Sequence, residues 1–388
     1  MRLSHSNSQP LQLHRGGGNR CAALGCIAVL YVLGSDFTTT SAIADGAGSP
    51  PKKTALAGLD TGAAQAHACR MSRRARAQRS DARWWVGVDE NGLGPRLGPL
   101  VATACAIESP LLDDAAAQRA GASLGIADSK VTSGFGSMAH AEGLSLAVAE
   151  ACSGRAPSDA DDVLAALVLD GVLALRAPCP VRSRAQCWGT LPVPAFGGRI
   201  DEGRAILAEL AADGRGMSVV RVRSAILCAR TYNEAVARLG SKLVVDLHLF
   251  ERLLLDARRA SGADVRATCG MVGGIRRYPE RLTLIDPAKV EIVEETKARA
   301  RYRVAEVGDV TFEVDADASA LPVALASMVG KYLRELWMAR QNAFYRGHDP
   351  QLPSVSGYHD PVTARLVAST GALRAELGID PRCFERET

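Results

Sequence analysis

From Trp84 onward, apolar positions recur with periods that separate strands from helices. Trp85-Val86-Gly87-Val88 is a short β-rich run ending on acid at Asp89, and Leu100 to Ile107 is a second apolar run. The stretch between them is rich in glycine, so the pair predicts strand, tight turn, strand. Ala, Leu and Val then recur at helical spacing around 137–151 and again at 158–177. Residues 178–200 are broken by Pro and Gly-Gly and read as an irregular insertion. Val219 to Leu227 predicts a strand. Asn233 to Ala260 predicts one long helix, with Leu243, Leu247, Phe250 and Leu254 on one face. Val265 to Thr268 is a short strand before the Gly273-Gly274 turn, and 281–285 and 291–315 alternate as strands do. Leu321 to Arg340 is a strong helix, with Pro322 in the first turn, where proline is tolerated. Strands interleaved with helices make this an α/β chain, and no internal repeat runs through it.

Residues 1–83 follow none of these periods. They carry Gly-Gly-Gly at 16–18, a Thr/Ser run at 38–41, Gly-Ser-Pro-Pro at 48–51 and an Arg cluster at 70–79. Composition sharpens the break. The 388-residue chain has a formal charge of +4, but residues 1–83 alone hold 11 Lys/Arg and 4 Asp/Glu, which leaves the rest at −3. The apolar run Cys21 to Gly34 is too short to span a bilayer and has the length of a signal h-region. A disordered or mis-started extension, with initiation at Met71, is the plainer reading. A chain beginning at Met71 is therefore expected to match the full chain in melting temperature and activity. Failure of that shorter chain to fold would move the boundary.

The remainder is globular in composition, at 47% hydrophobic and 23% charged, with so few aromatics (5%) that Ala, Val and Leu must build the core. No later stretch has the length or purity of a transmembrane helix, and no membrane association is expected. Ten cysteines are scattered without a C-x-x-C pair, so neither a zinc site nor a thioredoxin-like motif is signalled. Thiols used this way fit a reducing compartment, so a cytoplasmic, monomeric protein is expected.

The chemistry concentrates in Gly87-Val88-Asp89-Glu90-Asn91-Gly92-Leu93-Gly94-Pro95-Arg96-Leu97-Gly98-Pro99. Two adjacent carboxylates leave an apolar strand and meet a glycine-rich turn. Consecutive strand residues point to opposite faces, so Asp89 and Glu90 reach one site only if the strand ends there. Glycines at 92, 94 and 98 let the backbone approach a ligand and offer N–H donors to phosphate. As an isolated turn, the same residues are a solvated Asp-Glu pair. Ala127-Asp128-Ser129-Lys130 follows, and Ala316-Asp317-Ala318-Ser319 precedes a helix containing Ala326-Ser327, Lys331 and Arg334-Glu335.

In this order, these elements resemble type 2 ribonuclease H. That family has a Gly-x-Asp-Glu-x-Gly-x-Gly turn followed by Gly-Pro, then Asp-Ser-Lys. An acid comes next, just before a helix reading Ala-Ser-x-x-x-Lys-x-x-Arg-[Asp/Glu]. Gly357-Tyr358-His359 and Pro381-Arg382-Cys383-Phe384 look like its closing elements. The likeness runs over 84–388 and finds no counterpart for about 153–230.

The resemblance implies a ribonuclease H-like mixed β-sheet flanked by helices, with an insertion and a C-terminal helical part. It implies a metal-dependent endoribonuclease that hydrolyses the RNA strand of RNA–DNA hybrids with Mg²⁺ or Mn²⁺. Hard ions of this kind want carboxylate and water oxygens, and two of them about 4 Å apart serve an in-line displacement. Carried over by position, Asp89, Glu90 and Asp317 are catalytic metal ligands, with Asp315 ending the preceding strand. Gly92, Leu93, Gly94, Arg96, Lys130 and Lys331 are expected to meet nucleic acid.

Three departures stand out. Leu93 occupies the turn position where the family usually has Arg or Lys, and Arg96 is expected to substitute. The 153–230 insertion is the second. The third is Gly270, which stands before Gly273-Gly274 where a fourth carboxylate is expected; Asp246, Asp264 and Asp286 are the acids within reach. Arg276, Arg277 and Arg281 form a local basic group that meets either solvent or a nucleic-acid backbone. His359 is a candidate for leaving-group protonation, and Cys187 and Trp188 read as packing residues. Two other function classes fit the same residues: a nucleic-acid-binding relative that has lost turnover, and, favoured only by the slightly acidic body, an unrelated small-molecule enzyme.

Overall fold

The structure, a computed structural model, describes residues 83–109, 113–126, 138–212 and 215–387. The expectations for residues 1–82 and for Asp128, Ser129 and Lys130 lie outside these. No helix among the described residues is long and apolar enough to cross a membrane.

A mixed seven-stranded sheet is the frame, in the order β3-β2-β1-β4-β7-β6-β5. Its strands are β1 (Arg83–Asn91), β2 (Leu100–Ser109), β3 (Ser218–Leu227), β4 (Val265–Gly270), β5 (Val290–Glu295), β6 (Arg299–Val304) and β7 (Gly308–Glu313). β1, β4 and β7 run parallel, and every other pairing is antiparallel. Helices α1 (Asp114–Ser123), α2 (Ala139–Ser153), α3 (Ala160–Leu167), α4 (Ile200–Ala211), α5 (Ala229–Leu239), α6 (Lys242–Ser261), α7 (Leu321–His348), α8 (Pro361–Ser369) and α9 (Gly371–Leu377) cover it. The strand at the end of the 153–230 insertion is β3, which pairs along β2 from Leu100↔Leu227 to Glu108↔Ser218.

Both faces of the central strands are buried, which is why β1 and β2 read as nearly continuous apolar runs. Trp85, Val101 and Cys105 face a core shared with α2, α3 and α7. Val86, Val88 and Ala102 face a second core shared with α6, β4, β6 and β7. Gly87 is dictated by the first packing: a Cβ there would fall 2.1 Å from the backbone of Pro322 and Val323. The first turn of α7 lies directly on the strand. A third cluster, built from Leu97, Met338, Tyr345, Leu352 and Phe384, ties the glycine-rich turn to the C-terminal part.

Two predicted elements come out differently. The expected helix Asn233–Ala260 is two helices, broken where Gly240 takes φ 73° and Ser241 caps α6 by accepting from the Leu243 N–H. A left-handed glycine followed by a capping serine is a stop and a start placed back to back. The expected strand at 281–285 has no ladder partner. Its N–H groups at Thr283, Leu284 and Ile285 donate instead to the buried Glu251 carboxylate at 2.9–3.0 Å. One acid on α6 thus does the work of a neighbouring strand. Trp188 packs edge-on against Trp337 at 5.3 Å, in keeping with a packing role.

Candidate active site

The three parallel strands all end at one side of the sheet, the place where open α/β sheets leave a crevice. β1 pairs with β4 only as far as Val88↔Cys269, while its pairing with β2 continues to Asn91↔Val101. Asp89 and Glu90 therefore share a site for a different reason from the one the sequence suggested. The strand itself continues; its ladder to β4 stops, and the sheet opens there. β4 ends at Gly270, and β7 ends at Glu313 before a short helical turn, Ala316–Ser319, that carries Asp317. Between these ends and the first half of α7 lies an open cleft of about 740 Å³.

Asp89, Glu90, Gly92, Leu93, Gly94, Asp317 and Lys331 all line this cleft, although Asp89 and Asp317 are 228 positions apart. Ser327, Lys331, Arg334 and Glu335 come from α7 at the spacing of one helical face. Asn91 Nδ2 donates to the Ser327 carbonyl at 3.2 Å and fastens the end of β1 to α7. Arg334 is buried; it donates to Glu335 Oε1 at 2.8 Å and to the Ser356 carbonyl at 2.7 Å, with its guanidinium 4.8 Å from the Tyr358 ring. Gly92 allows this: it has φ 90°, and a Cβ there would fall 2.7 Å from Arg334 Nε. Leu93, where the resemblance anticipates a cation, packs at the margin of the core beneath β1.

Electrostatics mark Asp89. Desolvation, then the charge of Glu90, with Asp317 adding, hold its carboxyl well above the usual carboxylate range; a Ser327 hydrogen bond opposes them. Three acids in one another's field, with all-oxygen donors, suit a hard divalent cation, which would relieve the repulsion. The chemistry of the donor set fits Mg²⁺ or Mn²⁺, but the side chains are not closed around a point. Among the described residues, no three His, Cys, Asp or Glu groups converge as a ready metal site. Glu313, Asp315 and Glu335 line the same cleft. Asp315 follows β7 in the left-handed region, φ 51°. Burial raises the Glu335 pKa, against the pull of Arg334 and Lys331.

Gly270 faces directly into the acids. A Cβ built on it would sit 2.6 Å from Asp89 Oδ1 and 3.8 Å from Glu90 Oε2. Of the three acids within sequence reach, Asp264 pairs with Arg258 at 3.0 Å and Asp286 caps the turn at Ala288. Asp246 is fully buried on α6, with neither carboxylate oxygen hydrogen-bonded, and does not line the cleft. Burial, and secondarily the charge of Asp89, raise its pKa well above the normal value.

That shift has a measurable consequence. An acid whose folded pKa exceeds its unfolded value binds a proton preferentially in the folded state. Stability is then fullest below the unfolded pKa, near 4, and is lost as pH rises toward the folded value. Asp246→Asn should remove this loss, flattening the fall in metal-free stability above pH ~4 by up to about 1.4 kcal/mol per pH unit. Urea unfolding at a series of pH values measures it, and an unchanged slope would contradict it.

Arg96, expected to stand in for the missing turn cation, is engaged within the protein. Its side chain pairs with Glu385, its N–H donates to the Gly357 carbonyl, and it does not line the cleft. His359 is exposed and also outside the cleft lining. Sequence reasoning missed Arg386, which donates to the Gly98 carbonyl at 2.9 Å and to that of Gly92, holding the turn from the far end of the chain. A lone arginine near a C-terminus carries no local signal of this. Ser327 was visible only as a motif letter, and Asn91 fills a position that the motif leaves open.

No protein-family profile matches the sequence, and no curated protein matches it. Among solved structures, the chain is similar to the RNase HII of the PCNA:RNase HII complex from Archaeoglobus fulgidus: 17% identity, 77% of this chain and 91% of that one, TM-score 0.39. It is also similar to Bst-RNase HIII in complex with Mn²⁺, at 16% identity over 82% and 70% of the two chains, TM-score 0.40. Ribonuclease H2 from Pyrococcus horikoshii OT3 is 15% identical over 78% and 92%, TM-score 0.35. At these distances, the site has to be read from its own residues.

Proposed function

We propose that the chain is a metal-dependent endoribonuclease that hydrolyses the RNA strand of RNA–DNA hybrids, with residues 84–388 as the catalytic unit and Asp89, Glu90 and Asp317 as the residues that hold Mg²⁺ or Mn²⁺. The observation that supports this reading is that Asp89, Glu90 and Asp317 line one cleft. Elements distant in sequence bring like charges into one cleft, and burial, with the repulsion of Glu90 and Asp317 added, holds Asp89 away from its ordinary ionisation. Folding gains nothing from such crowding, whereas a cation site requires it.

Divalent ions bound there would supply an activated water and stabilisation of the leaving 3′-oxygen. The chain's own residues bind and orient. The Ser327 hydroxyl holds the Asp89 carboxyl, and the Asn91 amide keeps strand and helix together beside it. Lys331 on α7 and the Gly92-Leu93-Gly94 turn line the same cleft, where the lysine and the turn's N–H groups would meet phosphate oxygens. Lys130 is proposed as a further phosphate contact.

Gly270 favours a second reading, a relative that binds hybrids with impaired turnover, since a side chain is absent where one would point at Asp89. Labelled hybrid, RNA duplex and DNA duplex incubated with Mg²⁺ or Mn²⁺ test both. The expected result is cutting of the RNA strand of the hybrid alone. Binding without cutting at any metal concentration would leave the second reading standing, and neither binding nor cutting would dismiss both.

A further inference from the structure

The loop after β4 builds a second concavity beside the first. Ser241, Leu243 and Val244 at the start of α6 form one wall, and Gly274 to Arg281 form the other, enclosing about 370 Å³. Gly274 lines both this groove and the main cleft, so the two are continuous.

Their charges are opposite. The main cleft presents Asp89, Glu90, Glu313, Asp315, Asp317 and Glu335 against Lys331 and Arg334. The groove presents Arg276, Arg277 and Arg281 against Glu280 alone. Arg277 takes Glu280 at 3.4 Å, while Arg276 and Arg281 make no ion pair with a described residue. The loop is held from beneath. Tyr278 is buried, its ring stacks on Phe312 at 3.7 Å, and its hydroxyl accepts from the Val272 N–H at 3.1 Å. Ile275 is buried beside it. With Ile275 and Tyr278 anchored inward, Arg276, Arg277 and Arg281 are turned to solvent.

We infer that the groove lined by Arg276, Arg277 and Arg281 is a phosphodiester-backbone subsite, gripping nucleic acid away from the scissile bond. The inference rests on the nuclease reading of the adjoining cleft. A cleft dominated by carboxylates repels a polyanion along its whole length, and cations at the reacting phosphate neutralise only that point. A strand leaving the cleft past Gly274 meets three guanidinium forks, whose geometry matches phosphate oxygens. An acidic peptide would meet the same forks, but nothing in the adjoining acidic cleft would accept the rest of it.

The test is hybrid binding in EDTA, where no cleavage competes, across a salt series, for wild type and Arg276→Gln/Arg281→Gln. Both residues are exposed, so melting temperature should not change. Wild-type affinity should fall at least about tenfold in the variant, and the slope of log K against log salt should become shallower by about 2, roughly one for each lost phosphate contact. Affinity within twofold and an unchanged slope would overturn the subsite. So would wild-type protein that does not bind the hybrid, or polyglutamate held as tightly as the hybrid and released by the same substitutions. Cleavage assayed in parallel separates the two claims. Cutting with variant binding unchanged removes the subsite alone, and arginine-dependent binding with no cutting in any metal removes the hydrolytic reading alone.

Discussion

Asp89→Asn should abolish hybrid cleavage and, in metal-free protein at neutral pH, make the fold more stable. The two effects have one origin. Asp89 is a desolvated acid in the field of Glu90 and Asp317, and its raised pKa makes its ionisation work against folding as pH rises above about 4. An amide keeps the shape and removes the charge, so urea unfolding near pH 7 should show a gain on the order of 1 kcal/mol. The same change removes a charged metal ligand. Metal-supplied stabilisation of several kcal/mol would be lost, at least about a thousandfold in rate. A purely structural Asp89 predicts the reverse pairing: lower stability, with any activity falling only in proportion to unfolded protein.

Gly270→Asp is expected to have the second largest effect. The Cβ direction at Gly270 leads to Asp89 Oδ1 at 2.6 Å, so a new carboxylate enters the cluster and the Asp89 side chain must yield. In metal-free protein, crowding and like charge should cost about 1–3 kcal/mol. With Mn²⁺ present, the added oxygen ligand should raise metal affinity about tenfold, worth about 1.4 kcal/mol of extra metal-dependent stability. Calorimetric titration with Mn²⁺ reads the affinity, and melting with and without metal reads both signs. Equal Mn²⁺ affinity in variant and wild type would mean that another residue already completes the site.

The parts of this molecule legible in the sequence are those whose signal is local. Trp85 to Asp89 announces a strand by its apolar run. Leu321 to Arg340 announces a helix by periodicity and Pro322, and the observed α7 carries on to His348. Asp89 and Glu90 were legible as acids at the end of an apolar run and Asp317 through the resemblance, and all three line one cleft. What local pattern misses is tertiary partnership. Arg96 read as a spare phosphate ligand, yet Glu385, 289 positions on, takes its side chain. Residues 281–285 alternate like a strand, yet Leu284 is exposed and a buried glutamate takes the N–H groups of Thr283, Leu284 and Ile285. The break at Gly240-Ser241 was written in capping chemistry but lay inside a stronger apolar periodicity. Asp246 shows the same limit: a single acid among leucines, whose proximity to Asp89 comes only from packing α6 onto the sheet.

The central claim is that Asp89, Glu90 and Asp317 make the cleft a metal-dependent hybrid nuclease. Its most direct measurement is cleavage of a hybrid labelled on the RNA strand during a Mn²⁺ titration, with wild type and Asp317→Asn side by side. Wild type should produce RNA fragments that increase with Mn²⁺ and leave the DNA strand whole, while Asp317→Asn, though folded, produces none. Full-length RNA from wild type at every metal concentration, or equal fragments from both proteins, would contradict it.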